Sequence, residues 1–388
     1  MTNFIELGLS KPCTLALALA GITEPTEIQE KSIPLIFAGR DVMASAQTGS
    51  GKTAAYALPI IECLEQPEVK PRALVLVPTR ELALQVMDQF TRFSKHCSLR
   101  AVTLYGGTGY ETQTKALKRG VDVIVATPGR LYDHIERKNC DLSQIEIFVL
   151  DEADRLLDMG FMPQVRKIIA KVSKERQTLM FSATIDARIE RIAGDFMDDP
   201  ITVRVNPTQV EPVEIAQEIM FVTEFSKDAL LAKLIVEHNM NSAIVFTRTR
   251  RRASWVTDRL KDAGIKAEEI HSDISQSQRE RTLDNFREAK FPILVATDVA
   301  ARGLDIPAIS HVINYDLPDS PDDYVHRIGR TGRAGKSGVA FSFVSDEQRH
   351  MVRDIEKRIG KTLDPNTEAR KTVSSAPRLS KPRRRRVM

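Results

Sequence analysis

Asp151 and Glu152 are adjacent carboxylates at the end of an apolar run, Ile147 to Leu150, with a third acid at Asp154. Acids at the mouth of a buried strand cost desolvation energy unless something cationic meets them. A second constellation lies upstream. In AQTGSGKT (46–53) two glycines flank Ser50, and Lys52 and Thr53 follow. Glycines let backbone N–H groups curl around phosphate oxygens, and a helix starting there turns its positive end toward them. Lys52 can reach the β and γ phosphates of a nucleotide, and the Thr53 hydroxyl can ligate Mg²⁺. The general pattern G-x-x-x-x-G-K-[ST] begins with Gly, where this chain has Ala46. With such a loop present, Asp151 becomes the acid that holds Mg²⁺, chiefly through water, and Glu152 the base for an attacking water. Paired acids alone would more often be a solvated strand end. The upstream Lys and Thr decide for hydrolysis.

Such residues need strand ends to hold them. Short apolar runs recur at Val42–Ala46, Ala73–Val77, Val121–Ala126, Ile145–Leu150 and Thr178–Phe181. Stretches of helical periodicity lie between them, such as Glu81 to Phe93 and Val165 to Val172. This alternation predicts an α/β fold with a parallel sheet flanked by helices, which binds ligands at the carboxyl ends of its strands. The pattern lapses near VNPTQVEPVE (205–214) and resumes at Ala243–Phe246, Pro292–Ala296, His311–Tyr315 and Val339–Val344. The division expected is a first domain over 1–205, a linker over 206–212, a second domain over 213–365 and a tail over 366–388.

The charge is unevenly placed. Residues 370–388 hold eight Lys or Arg and no acid. Without those eight, 48 basic residues face 52 acidic ones, so the body carries about −4 and the tail +8. A basic, disordered tail suits a polyanion partner, although a merely solubilising end has the same composition. Cys13, Cys63, Cys97 and Cys140 are widely spaced and form no C-x-x-C pair, which argues against zinc or a disulfide framework and for a reducing, cytoplasmic setting. TLALALAG (14–21) is too short and too poorly flanked for a signal peptide and reads as a buried amphipathic helix. No run approaches transmembrane length, so no membrane role is expected.

The motifs together resemble those of the DEAD-box RNA helicases of superfamily 2. DEAD stands at 151–154 and AQTGSGKT at 46–53 is similar to motif I, whose family form begins with Ala. GITEPTEIQ (21–29) resembles the Q motif, with Phe4 as its upstream aromatic. PTRELA (78–83), Gly106-Gly107, TPGR (127–130) and SAT (182–184) are similar to motifs Ia, GG, Ib and III. VFTRT (245–249), Gln276 with Arg279, ATDVAARGLDI (296–306) and HRIGRTGR (326–333) resemble motif IV, the Q-x-x-R element, and motifs V and VI. The likeness spans roughly 4–350 and is similar in scale to the compact bacterial RhlE-type subgroup.

The resemblance implies two tandem RecA-like domains with ATP and Mg²⁺ between them and RNA across both. Lys52, Asp151, Glu152, Arg330 and Arg333 would be catalytic, the last two as arginine fingers. Phe4, Thr26, Gln29, Ala46, Gln47, Thr48, Gly49, Ser50, Gly51, Lys52, Thr53, Gly303, Asp305, Arg330 and Arg333 would bind the nucleotide. In that set Phe4 stacks on the adenine, Gln29 reads its edge and Asp305 touches the ribose. Thr53 and Asp151 would hold the metal. RNA would meet Pro78, Thr79, Arg80, Gly107, Thr127, Arg130, Arg248, Arg279, Thr297 and Arg302, mostly through phosphates and riboses, so with little sequence preference. Thr79 and Thr127 could equally be plain helix caps. Asp154, Ser182, Thr184 and His326 would couple the nucleotide to the RNA. The implied activity is RNA-stimulated ATP hydrolysis with local, non-translocating unwinding or remodelling of RNA–protein complexes. The implied protein is a cytoplasmic monomer whose protein partners are ribosomal or RNA-decay factors. An ATP-gated RNA clamp would use the same residues, whereas a nucleotide kinase or DNA translocase would lack the Q motif and the paired arginines.

Overall fold

Residues buried on both faces of a sheet need apolar side chains at every position, and β-branched ones fit the pleat best. Ala73–Leu76, Val123–Ala126 and Ile293–Thr297 meet that demand and are wholly buried strands. The computed structural model describes residues 3–46, 49–64, 70–205, 215–301, 309–332 and 337–363, apart from the side chains of Gln276 and Val299. The described residues form two compact α/β units, one within 3–205 and one within 215–363.

The first unit holds β1 (Val42–Ser45), β2 (Ala73–Leu76), β3 (Ala101–Leu104), β4 (Val123–Ala126), β5 (Ile147–Asp151), β6 (Gln177–Ser182) and β7 (Ile201–Arg204). Their order is β3-β4-β2-β5-β6-β1-β7, and every described pairing is parallel. Alternation along each strand splits the core into two layers. Val75, Val125, Val149 and Leu179 face one set of helices. Leu74, Ile124, Phe148 and Met180 face the other. The second unit holds β8 (Ile215–Phe221), β9 (Ala243–Thr247), β10 (Ala267–Ile270), β11 (Ile293–Thr297), β12 (His311–Asn314) and β13 (Gly338–Val344). Its order is β10-β11-β9-β12-β13-β8, again parallel. Residues 14–19 belong to the helix Lys11–Leu19, which buries Cys13, Ala16 and Leu17. Among the described residues no helix is long and apolar enough to cross a membrane.

Register sets the site. Ser45 pairs with Ser182, and Leu150 with Met180. The ends of β1, β6 and β5 therefore come level on one edge of the sheet. Ala46 and residues 49–53 of motif I, the SAT triplet and the DEAD residues lie side by side there. The ends of β2, β4 and β3 continue the same edge and carry Thr79, Thr127 and Gly107.

Candidate active site

The turn after β1 is built from glycine. Gly49 and Gly51 have φ of 86° and 89°, the left-handed region that a side chain resists. Gly51 caps the helix Lys52–Cys63. A Cβ on Gly51 would collide with the Gln29 amide and lie 3.0 Å from Thr26 Oγ1. The turn hands Lys52 to a buried position where Nζ donates to the Ala46 carbonyl at 2.7 Å and the Ser182 carbonyl at 3.4 Å. Ala46 is itself buried, and its N–H donates to Ser182 O at 3.3 Å. The hydroxyls of Ser50 and Ser182 are buried and have no hydrogen-bond partner among the described residues. Unfilled hydroxyls beside a helix N-terminus and a lysine suit an oxygen-rich anion. Gly51→Ala meets the left-handed backbone and the Gln29 amide together. At about 1–2 kcal/mol for the backbone alone, ATP affinity is expected to fall at least tenfold, as measured by titrating a fluorescent ATP analogue.

Gln29 ties the Q motif to this loop. Its Oε1 accepts the Thr26 N–H at 3.0 Å and its Nε2 donates to Gly51 O at 3.1 Å. One N–H and one lone pair of the amide remain for a base edge. Phe4, the aromatic upstream of the Q motif, is buried. It is 5% exposed and packed into the core with Leu7, Leu9 and Leu17, so it offers little free face for stacking.

Asp151 ends β5 and is 3% exposed. Its carboxylate accepts from the Tyr56 hydroxyl at 2.7 Å and from the Glu152 N–H at 2.9 Å. Burial, then the neighbouring Glu152 charge, push its pKa up to about 6, against the pull of Lys52 and Tyr56. Tyr56 is raised in turn, first by burial and then by Asp151. No group of three or more His, Cys, Asp or Glu among the described residues forms a metal cage. One buried carboxylate and the Thr53 hydroxyl suit a cation that keeps water and ligand oxygens around it, as Mg²⁺ does.

Glu152 sits at φ 51°, ψ 52°, a left-handed conformation costly for a residue with a Cβ. It makes the sharp turn from β5 into the helix Ala153–Asp158. Asp154 faces the end of β6, where its Oδ2 accepts from Ala183 N at 3.1 Å, Thr184 N at 3.3 Å and Thr184 Oγ1 at 3.4 Å. The DEAD and SAT motifs are thus one hydrogen-bonded unit, made through Ala183 and Thr184 and not through the Ser182 hydroxyl.

The other half of the sheet edge is a row of helix starts. The Thr79 hydroxyl caps the helix Arg80–Phe93 by accepting from Leu82 N at 3.2 Å. Pro78 precedes it, and the Arg80 guanidinium lies against Gly107, whose φ is 87°. Thr127 leads into the helix Pro128–Glu136 without a side-chain cap bond. Arg130 is tied into its own unit. It is buried, donates to Thr108 O at 2.9 Å and Gln113 Oε1 at 3.3 Å, and stacks over Tyr110 at 4.1 Å. It braces the loop that follows Gly106-Gly107. Gln113, unnoticed in the sequence, also holds the buried His134 at 3.2 Å.

In the second unit Arg248 follows β9 and is half-exposed, its N–H donating to Asp316 Oδ2 at 3.0 Å. Thr297 ends β11. Arg279 is 5% exposed and donates to Ala300 O at 3.2 Å, bracing motif V. His326 and the buried Arg330 line a small cavity with Phe246, Asp298 and Arg327. Arg327 is the hub that sequence reasoning missed. Its Nε and Nη2 both meet Asp298 at 2.6 Å, and its Nη1 donates to Asn314 Oδ1 at 3.1 Å and Asp316 O at 2.6 Å. A lysine cannot copy that fork. Arg327→Lys is expected to destabilise this unit by about 1–2 kcal/mol, read in denaturant from Trp255, the chain's one tryptophan. Gln47, Thr48, Arg302, Gly303, Asp305 and Arg333 lie outside the described residues, as do the linker 206–212 and the tail 366–388.

Comparison with known proteins agrees with this geometry. Residues 26–192 match the DEAD/DEAH box helicase family and 226–335 the helicase conserved C-terminal domain. The chain is 44% identical to the RNA helicase CrhR of Synechocystis sp. over 381 residues, covering 98% of this chain and 77% of CrhR. It is 43% identical to the ATP-dependent RNA helicase DeaD of Escherichia coli over 373 residues, covering 95% of this chain but 59% of DeaD. Saccharomyces cerevisiae Dbp5 bound to RNA and ADP BeF3 superimposes with a TM-score of 0.84 at 32% identity, over 96% of this chain and 99% of Dbp5. These names do not single out the RhlE-type subgroup, and that finer likeness rests on the sequence resemblance alone. Two RecA-like units, their ordered motifs and relatives matched over nearly the whole chain lead to one conclusion: the chain belongs to the DEAD-box family of superfamily 2 helicases.

Proposed function

We propose that this chain is an ATP-dependent RNA helicase that couples RNA-stimulated ATP hydrolysis to local, non-translocating strand separation. The observation that carries the reading is the bonded cluster at the ends of β1, β6 and β5. There Lys52 meets the carbonyls beside SAT, and Asp154 meets the SAT amides. A change at the phosphates is felt at SAT through two direct contacts. The Gly51 turn and the helix N-terminus hold the phosphates, Lys52 balances their charge, and Gln29 spends its spare donor and acceptor on the adenine. Asp151 and Thr53 would hold Mg²⁺, which when bound neutralises charge on the β and γ phosphates. Glu152 takes a proton from the attacking water. The helix starts after Thr79 and Thr127, with Arg80 and Gly107, offer amides and charge to an RNA backbone, and Arg248 and Thr297 do so on the second unit. Arg330 and Arg333 as arginine fingers, Asp305 on the ribose, a cytoplasmic location and a monomeric state are further parts of the proposal, carried by the motifs and by the family. The division at 206–212 belongs with them.

The test is ATP hydrolysis measured alone, with single-stranded RNA, and with DNA of the same sequence. Strong stimulation by RNA only is expected. High activity without nucleic acid, or equal stimulation by DNA, would overturn the reading.

A further inference from the structure

Arg155 follows the DEAD box and takes no part in the roles assigned above. Its Nη1 donates to Glu152 Oε2 at 2.7 Å, with side chains 6% and 13% exposed. The guanidinium makes no other hydrogen bond or ion pair among the described residues. Burying a guanidinium for a single partner is unfavourable unless that partner is equally withdrawn from water. The pair joins residues three apart, so it spans the very turn that the left-handed Glu152 creates. That turn fixes the Glu152 backbone but leaves its side chain to rotate. Arg155 removes the freedom by gripping one oxygen. Glu152 Oε1 accepts no hydrogen bond among the described residues, so it is the oxygen left to present. The Arg155 N–H donates to Asp154 Oδ1 at 3.0 Å, so one residue holds both the candidate base and the acid bonded to SAT.

We propose that Arg155 is a positioning residue for Glu152, anchoring Oε2 so that Oε1 faces the attacking water. The inference rests on the proposed ATPase reading and adds to it a residue that acts through Glu152. Misplacing a base by about an ångström costs on the order of 10²-fold in rate. The experiment compares the full-length wild type with Arg155→Met and Arg155→Lys. It measures steady-state ATP hydrolysis with and without single-stranded RNA, and equilibrium binding of a fluorescent ATP analogue.

Arg155→Met is expected to lower kcat about 10- to 100-fold, with KM for ATP and analogue affinity within about twofold of wild type. Arg155→Lys, which keeps the charge, should recover much of the loss. The double variant Glu152→Gln with Arg155→Met should turn over no more slowly than Glu152→Gln alone, because Arg155 acts only through Glu152. Unchanged kcat in Arg155→Met overturns the proposal. So does a parallel loss of kcat, KM and binding in both single variants, or a further drop in the double variant. The wild-type control keeps the two readings apart. If RNA fails to stimulate it, the helicase reading falls, while the ratio of variant to wild-type basal rates still decides the role of Arg155.

Discussion

Glu152→Gln is expected to cut RNA-stimulated ATP turnover by about 10²- to 10⁴-fold, the range for loss of a general base, while ATP and RNA still bind. The geometry explains why the effect should fall on chemistry alone. An amide oxygen can still accept from Arg155, so the 2.7 Å contact and the turn at φ 51° survive the change. Asp151 keeps its bond from the residue's N–H at 2.9 Å. Asp154 and its SAT contacts are untouched. What disappears is the lone pair basic enough to take a proton from water. The variant should therefore hold ATP and RNA together in a long-lived complex. Single-turnover hydrolysis and filter binding of labelled RNA with ATP measure the two halves of the expectation. A turnover within about threefold of wild type would show that another group, or the phosphate itself, takes the proton.

The strands that the sequence displays and those it hides divide by position in the sheet. The inner strands β1, β2, β4, β5, β6, β9, β11, β12 and β13 all coincide with expected apolar runs. The four strands not foreseen, β3, β7, β8 and β10, are the four edges of the two sheets. Their side chains are half-buried in mixed patterns, as in ITVR and AEEI. An edge strand has one neighbour and partial cover, so nothing compels a continuous apolar run.

A similar division holds at the site. Residues singled out by type and spacing, such as Lys52, Asp151 and Asp154, do come together at neighbouring strand ends. Side chains that act by filling a buried partner could not be singled out in that way. Tyr56 and Asp151 are 95 residues apart in the chain. Arg327 and Asp298 are 29 apart. Nothing local announces such pairs. The bonds of Arg130 to Thr108 O and of Arg279 to Ala300 O were hidden for the same reason, since an arginine in a motif looks alike whether it grips phosphate or a carbonyl of its own chain. Arg155 could have been found, because three residues from Glu152 on a helix is the spacing of a neighbour.

Asp151→Asn is expected to abolish hydrolysis and yet make the first unit more stable at neutral pH. The fold holds this carboxyl at a pKa of about 6 against an ordinary 3.8, chiefly through burial. A raised pKa means that the folded state prefers the neutral acid. The stability of that form is fully present below about 4 and is lost as pH rises through about 6. Above that the fold carries a buried charge, at a cost of roughly 3 kcal/mol at about 1.4 kcal/mol per pH unit. Asparagine removes the charge and keeps the contacts. Its oxygen accepts from Glu152 N–H, and its amide donates to the Tyr56 oxygen. The gain over wild type should thus be near zero at pH 4 and reach roughly 2–3 kcal/mol by pH 7.5. Unfolding followed by far-UV circular dichroism measures it, while Trp255 fluorescence reports the second unit and should not move. A gain that is absent at pH 7.5, or equal at both pH values, would show that Asp151 is not held against its charge. Present in full, it would mean that the fold gives up stability to keep a carboxylate where the nucleotide's cation is to be met.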